Sequence, residues 1–199
     1  KNGAVSGRLA SFVALRDDVA TTLQTQLDEI ARGAIAAFSE TDRTGGGAPP
    51  LAGLFTWAGG PALPPAATST TGLAHSIAIN PAFDTDAGGN PALLRDGGAN
   101  GAAYVANPGG ASYANLLIDY GERLIAPITF DAAARLATNI SVTEFSSASI
   151  GWIEASRQNA FNAELTTGAL KVRTAEALSN ETGVNIDVEM SLLLDLEHA

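Results

Sequence analysis

The sequence predicts a mainly α-helical fold: an elongated bundle of long antiparallel helices with a small, irregular insertion that forms only short strands. Apolar residues recur every three or four positions near both ends of the chain, which is the spacing of helices that pack along one stripe. Glycine and proline are concentrated between these segments. Aromatic residues make up only 6% of the 199 residues, which favours slim, closely packed helices over a thick core.

The first long helix is predicted over residues 6–42, inside a helical segment 1–44. Its apolar positions follow one another at spacings of four, four, three, four and four: Val19, Leu23, Leu27, Ile30, Ala34 and Phe38. Gly33 lies among them and costs roughly 1 kcal/mol relative to alanine in a helix interior. Charged and amide side chains occupy the faces between. The pattern predicts an amphipathic helix with one narrow packing stripe, and a cofactor site on that stripe is not expected.

The insertion is predicted over residues 45–110, where glycine and proline interrupt a run of alanine, threonine and serine. Short strands are predicted at 54–57 and 77–79. We expect an ordered flap pinned by Phe55 and Trp57, and a disordered linker is the alternative. Pro91 is predicted to open a single helical turn that runs through Arg95.

The segment 111–199 is predicted to complete the helical domain. A helix after residue 111 should end near Ile125, because Pro127 cannot continue it. A short helix over 131–138 and a second long helix over 147–180 follow. Gly183 should end the long helix, and Asn185 or Asp187 should cap a terminal helix. That helix should carry an apolar seam formed by Ile186, Met190 and Leu193 and continued by Leu194 or Leu196.

Charge and composition argue against several classes of partner. The net charge is −10, so phosphate backbones would repel the chain and nucleic-acid binding is not expected. The eleven Lys and Arg residues are scattered, and no run of eighteen apolar residues occurs, so neither a basic membrane patch nor a membrane span is expected. There is no cysteine, which removes disulfides, thiolate metal sites and cysteine nucleophiles.

The sequence contains no pattern typical of an active site, and we expect no catalytic residue, cofactor or metal. The two histidines, His75 and His198, form no metal-binding pair. Asp84 and Asp86 imitate the start of a calcium loop. Gly88 and Arg95, however, occupy the positions of the third and twelfth ligands, so a capped turn is expected instead. An enzyme would need a nucleophile, base or metal set, and none is visible.

The C-terminal segment carries a family resemblance. It reads G-V-N-I-D-V-E-M-S-L-L-L-D-L-E-H-A from Gly183, and it resembles the C-terminal signature of the bacterial flagellar axial proteins: G-V-N, a hydrophobe, acidic residues, Met and a Leu-rich helix. Gly183, Val184 and Asn185 match its first part. The match covers about a tenth of the chain.

The N-terminal segment resembles the same family, and within it the hook-associated proteins of the hook–filament junction. The stretch G-A-V-S-G-R-L-A-S-F-V-A-L-R-D-D-V is similar to the pattern that precedes their long helix; Gly7, Leu9, Arg16 and Asp17 match, whereas Asn2 and Leu15 depart from the usual Gly and Phe. The L-R-D-G-G stretch ending at Gly98 is similar to a segment that lies between the family's long helices.

The resemblance implies a non-catalytic structural subunit of the bacterial flagellum, the organelle of motility. It implies type III export without a cleaved signal peptide, an extracellular location, and self-assembly into a ring at the hook–filament junction through a coiled-coil core. The implied partners are further copies of the chain, the axial proteins on the hook and filament sides, and an export chaperone. The expected assembly seam comprises Leu23, Leu27, Ile30, Phe38, Ile186, Met190 and Leu193.

Other interpretations stay open. The chain is alternatively another axial protein, of the hook or rod type, or a helical adhesin or translocator module of a secretion system. The apolar pattern is still running at Ala199 and no Met precedes Lys1, so we expect a fragment of a longer protein that lacks the terminal regions.

Overall fold

A computed structural model describes residues 7–183 and 186–198. It is mainly helical, with 58% helix and 7% strand, which confirms the mainly α-helical part of the prediction. The chain divides into two compact units, one ending at Ile153 and the other beginning at Glu154. The first unit contains two small antiparallel sheets.

The N-terminal helix is interrupted near its start. Helix α1 spans Arg8–Ala14, a π-helical turn follows over Leu15–Val19, and α2 spans Ala20–Ala37. The helix therefore ends five residues before the predicted limit at 42. The wider turn has one residue more than an α-helical turn, so it shifts the side chains of α2 around the axis relative to those of α1.

The buried side of α2 extends beyond the predicted apolar stripe. Five polar side chains of α2 are buried: Thr22 and the four that we call the α2 polar row, which are Gln26, Asp28, Glu29 and Arg32. Leu27 of the predicted stripe is 43% exposed, whereas Leu23, Ile30 and Phe38 are half-buried. The reason is that α2 packs against loops, whose backbone N–H and C=O groups need hydrogen-bond partners when buried.

The insertion is ordered, as the flap prediction expected, and it packs on α2. Strand β1, Phe55–Thr56, pairs antiparallel with β2, Ala78–Ile79. Between them lies the short helix α3, Leu73–Ser76. Phe55 and Trp57 pack against a core formed by Ala31, Ile35, Ala52 and Leu73. The burial of these side chains explains why this Gly/Pro-rich segment is held in place.

Two Asn-Pro-Ala sequences form the same turn ten residues apart. In each, the asparagine Oδ1 accepts a hydrogen bond from the alanine N–H two residues on, at 3.0 Å from Asn80 to Ala82 and 3.0 Å from Asn90 to Ala92. In such turns the asparagine side chain takes the place of a backbone carbonyl group as the hydrogen-bond acceptor. The second one leads into α4, Leu93–Asp96, which confirms the single helical turn predicted after Pro91.

The rest of the first unit builds a second core. Helix α5 spans Asn115–Ile125 and ends before Pro127, as predicted. Strands β3, Ile128–Thr129, and β4, Asn139–Ile140, pair antiparallel. Between them only Ala132–Ala134 is helical, as a 3₁₀ turn, so the helix predicted over 131–138 is shorter. The core contains Phe130, Ala134, Val142 and Phe145.

The long helix α6 spans Val142–Thr182 and begins five residues earlier than predicted. A capping box fixes its start: the Ser141 N–H donates to the Glu144 carboxylate at 2.9 Å, and the Glu144 N–H donates to the Ser141 hydroxyl at 3.2 Å. The Ser-x-x-Glu spacing was readable in the sequence. Helix α6 ends before Gly183, and α7 spans Ile186–Glu197. Val184 and the predicted cap Asn185 lie outside the described residues.

Candidate assembly surfaces and the polar core

An ion pair is buried in the middle of the α2 polar row. Arg32 donates from Nε and Nη2 to the two carboxylate oxygens of Glu29, at 2.9 and 2.7 Å. The pair also holds the loop beside it: Arg32 Nη2 donates to the Thr129 carbonyl at 2.7 Å, and the Asp131 N–H donates to Glu29 Oε2 at 2.8 Å. Both charges are thus neutralised and hydrogen-bonded, as buried charges require.

The remaining members of the α2 polar row bind other segments. Gln26 donates from Nε2 to the Ala134 carbonyl at 3.0 Å and accepts from the Ser149 hydroxyl at 2.8 Å. Asp28 accepts from the N–H groups of Gly72 and Ala74, at 3.0 and 2.8 Å. These contacts fix α3, the 3₁₀ turn and the start of α6 on one helix. They give these buried polar groups a structural role.

Glu40 holds the far end of the insertion in the same way. Its carboxylate accepts from the N–H groups of Ala99 and Asn100, both at 2.9 Å, and from the Asn100 amide at 2.8 Å. The same Asn100 amide donates to the Ala52 carbonyl at 2.8 Å. Sequence reasoning did not single out Glu40 or Asn100, because each lies in a stretch without periodicity.

Tyr120 is the exception among the buried polar side chains. It is 2% exposed and packs beside the Phe38 ring, with ring centroids 5.0 Å apart. Its hydroxyl has no hydrogen-bond partner within the described part of the chain. Burial, with the negative charge of Glu40 adding to it, raises the pKa of Tyr120 to about 12. An unpaired buried hydroxyl is destabilising by about 1–3 kcal/mol.

Removing that hydroxyl should therefore stabilise the protein. We expect Tyr120→Phe to raise the free energy of unfolding by about 1 kcal/mol. Tyr104 provides the matched control, because it is also buried but its hydroxyl donates to the Pro49 carbonyl at 2.9 Å. Tyr104→Phe should lower the free energy of unfolding by about 1 kcal/mol. Urea titration of both variants checks the opposite signs; two equal losses would contradict the unpaired hydroxyl.

The raised pKa of Tyr120 also makes stability depend on pH. The folded state holds the phenol proton more tightly than the unfolded state, whose pKa is about 10. The free energy of unfolding therefore keeps its full value below pH about 10 and falls as the pH rises towards the folded-state pKa of about 12. In denaturant titrations between about pH 9 and about pH 11.5, the wild type should lose more stability than Tyr120→Phe. Parallel curves would contradict the shift.

The candidate metal ligands do not come together in the structure. Asp84 accepts the Asp86 N–H at 2.9 Å and forms a capped turn, and His75 and His198 are exposed. Within residues 7–183 and 186–198, no group of three acidic or histidine side chains is placed to hold a metal ion. A cavity of about 210 Å³ lies in the first unit, with Arg123 among apolar side chains. Arg123 donates to the Ser39 carbonyl at 2.8 Å.

The N-terminal family-signature residues lie at the surface. Gly7 precedes α1 with φ 104°, a conformation that favours glycine. Arg16 and Asp17 form an exposed ion pair in the π-helical turn. The Arg16 guanidinium lowers the pKa of Asp17 through its hydrogen bonds. Next to this pair, Leu9, Phe12, Val13 and Leu15 are exposed apolar side chains.

The predicted seam residues of α7 are exposed as well. Ile186 is 71% exposed and Leu193 is 68% exposed, with Met190 between them. Every residue of 157–183 and 186–198 is exposed, although the two segments together contain ten Leu, Ile and Val residues. Helices with apolar residues at regular spacing are normally buried against a partner. These segments are therefore the candidate assembly surface.

Helix α6 carries a further apolar stripe, which the expected assembly seam did not include. Phe161, Leu165, Gly168, Val172 and Ala175 follow one another at alternating spacings of four and three. That is the heptad spacing of a coiled-coil seam. The signal was present in the sequence, but small residues at two of the five positions weakened it. Phe161, Leu165 and Val172 are each about half exposed.

Among the residues that the structure describes, no helix is both long and apolar enough to cross a membrane. No family model, curated protein or solved structure matches the chain significantly. The flagellar resemblance is thus carried by the sequence motifs alone.

Proposed function

We propose that this chain is a structural subunit of the bacterial flagellum that corresponds to hook-associated protein 1 and connects hook to filament by self-assembly. The sequence support is the pair of motifs near the two ends of the chain, which include Arg16 and Asp17 on one side and Gly183 on the other. The structural support is the exposure of the helices next to those motifs. Exposed apolar surface of this extent is typical of an interaction site.

The exposed stripes carry the proposal. On α7 the apolar side chains Ile186, Met190 and Leu193 follow helical spacing and lie at the surface. On α2 Leu27 is exposed beside the half-buried Leu23. In the assembled state, we expect the long helices to lie antiparallel in an elongated bundle. Neighbouring copies and the adjoining axial proteins would then cover these stripes and remove apolar area from water.

A deletion strain tests this function. If the subunit connects hook to filament, cells that lack it should keep their hooks, lose their filaments and release filament subunits into the medium. The wild-type gene should restore filaments and motility. Leu193→Asp should fail to restore them, because a carboxylate in the seam must be desolvated on assembly.

Ile79→Asp serves as the matched control. Ile79 is 59% exposed, similar to Leu193, but it lies on β2 outside the helical stripes. It should restore motility. Normal filaments in the deletion strain would contradict the proposal. Loss of the hooks together with the filaments would move the chain to the hook or rod and keep it within the axial proteins.

A further inference from the structure

We propose that α7 of one copy binds a groove on α6 of a second copy, antiparallel and reciprocally, with Glu197 of each copy beside Lys171 of the other. The inference does not rest on the flagellar proposal, since it concerns only two surfaces of the second unit and their chemistry. It predicts a defined contact between two copies of this chain in solution.

The groove has the geometry that accepts side chains from a second helix. It holds about 440 Å³ and, within the described residues, is lined from α6 alone by Thr167, Leu170, Lys171, Thr174, Ala175 and Leu178. These residues form two overlapping sets at i, i+3, i+4 and i+7. Each such set of four is a hole that receives one side chain in knobs-into-holes packing. Lys171 and Thr174 belong to both holes, so the groove offers two adjacent holes with one cation between them.

The α7 seam has the complementary shape and charge. Ile186, Met190, Leu193 and Glu197 lie at spacings of four, three and four, so they share one face. Three are apolar and the fourth is a carboxylate. No Lys or Arg occurs after Arg173, whereas six acidic residues follow it: Glu176, Glu181, Asp187, Glu189, Asp195 and Glu197. The carboxylate at the end of this apolar seam is best matched by a partner face that supplies a cation, and the groove contains Lys171.

The two faces match in register when the helices run antiparallel. On α6 the positions Lys171, Ala175, Leu178 and Thr182 have spacings of four, three and four. With Glu197 opposite Lys171, Leu193 lies opposite Ala175. Met190 then lies opposite Leu178. The largest apolar side chains of the seam thus meet the groove at the small residues Thr174 and Ala175 and beside Leu178.

The occupant that fits the groove is the α7 of a second copy, because its seam has the matching spacing and ends in a carboxylate that can pair with Lys171. Two chains that exchange α7 in this way make each contact twice, which is the isologous arrangement of most dimers. In the structure, all described residues of the groove and of the seam are exposed. The chain's own α7 therefore does not fill the groove, and the seam is available to another molecule.

Engineered cysteines test the contact directly, because the chain has no cysteine of its own. Full-length Ala175→Cys and full-length Leu193→Cys are purified separately, mixed and oxidised. We expect a disulfide-linked heterodimer on a non-reducing gel. Neither variant alone should cross-link to the same extent, since the antiparallel register does not bring identical positions together. In the control experiment, Val188→Cys takes the place of Leu193→Cys in the mixture, because Val188 lies on the opposite face of α7.

The alternatives give different products. If α7 folds back on its own α6, the double variant Ala175→Cys/Leu193→Cys forms an internal disulfide that lowers its mass by two hydrogens, and the mixed single variants stay monomeric. That result would overturn the proposal, as would free thiols in both experiments or equal cross-linking by Val188→Cys. None of these outcomes bears on the deletion test of the flagellar role.

Charge exchange provides the second measurement. In sedimentation equilibrium, Lys171→Glu and Glu197→Lys should each weaken dimerisation by up to about twenty-five-fold, which is about fivefold for each of the two exposed ion pairs that the symmetric dimer loses. The double variant should regain the wild-type dissociation constant. Both residues are exposed, so folding of the single chain should be unaffected. If the double variant instead weakened dimerisation by the product of the two single-variant factors, the assigned register would be overturned.

Discussion

Arg32→Met should lower the free energy of unfolding by about 3–5 kcal/mol. The substitution keeps the apolar length of the side chain but leaves the Glu29 carboxylate, which is 0% exposed, buried without its cation. It also removes the donor to the Thr129 carbonyl. Chemical denaturation followed by circular dichroism measures the loss, and a change in the midpoint without a change in slope identifies it as a stability effect.

Arg157→Met is the matched control for this prediction. Arg157 pairs with Glu154 at the same i, i+3 spacing and through the same Nε and Nη2 atoms, but both side chains are exposed. An exposed pair competes with water and with salt, so its removal should leave the midpoint unchanged. Equal effects of the two substitutions would show that the α2 polar row does not hold the loops of the first unit together.

Phe145→Ala should destabilise the first unit by about 3–5 kcal/mol. The Phe145 ring is fully buried and stacks on Phe130, with ring centroids 3.9 Å apart. Truncation leaves a cavity between α6 and the turn that follows β3, where the surroundings are already fixed by hydrogen bonds to α2. Thermal unfolding should show a clear decrease in Tm.

Phe161→Ala is the matched control, because it truncates a side chain of the exposed stripe on α6 and not one of the core. It makes the same chemical change on the same helix, but Phe161 is 49% exposed. At protein concentrations where the chain is monomeric, its Tm should stay close to that of the wild type. A decrease as large as that of Phe145→Ala would mean that Phe161 is buried in the monomer, and the stripe would not be a surface for partners.

Sequence patterns predicted the elements whose limits are fixed by local chemistry. Pro127 ends α5 because proline cannot continue a helix, and α4 begins at Leu93, two residues after Pro91. Phe55 lies on β1 and packs with Trp57 against the core, since aromatic side chains in a Gly/Pro-rich segment have few other places to be buried. These predictions needed no knowledge of distant contacts.

The inward face of α2 was not predictable from periodicity. Hydrophobic spacing placed Leu27 inside, but the structure buries Asp28 and Glu29 because they bind backbone groups 44 and 102 residues away. Such contacts exist only in the folded chain. The same limit applies to Tyr120, whose unpaired hydroxyl depends on what packs around it. For the assembly surface, the sequence indicated the α7 seam but not the groove on α6.

Immunogold electron microscopy of the source cells, with antibody raised against this chain, tests the central proposal most directly. A subunit that connects hook to filament should give one band of gold at that junction on each flagellum. Label along the hook or the whole filament would place the chain elsewhere among the axial proteins. Flagella without label, from cells in which the same antibody detects the protein on a blot, would contradict the flagellar proposal.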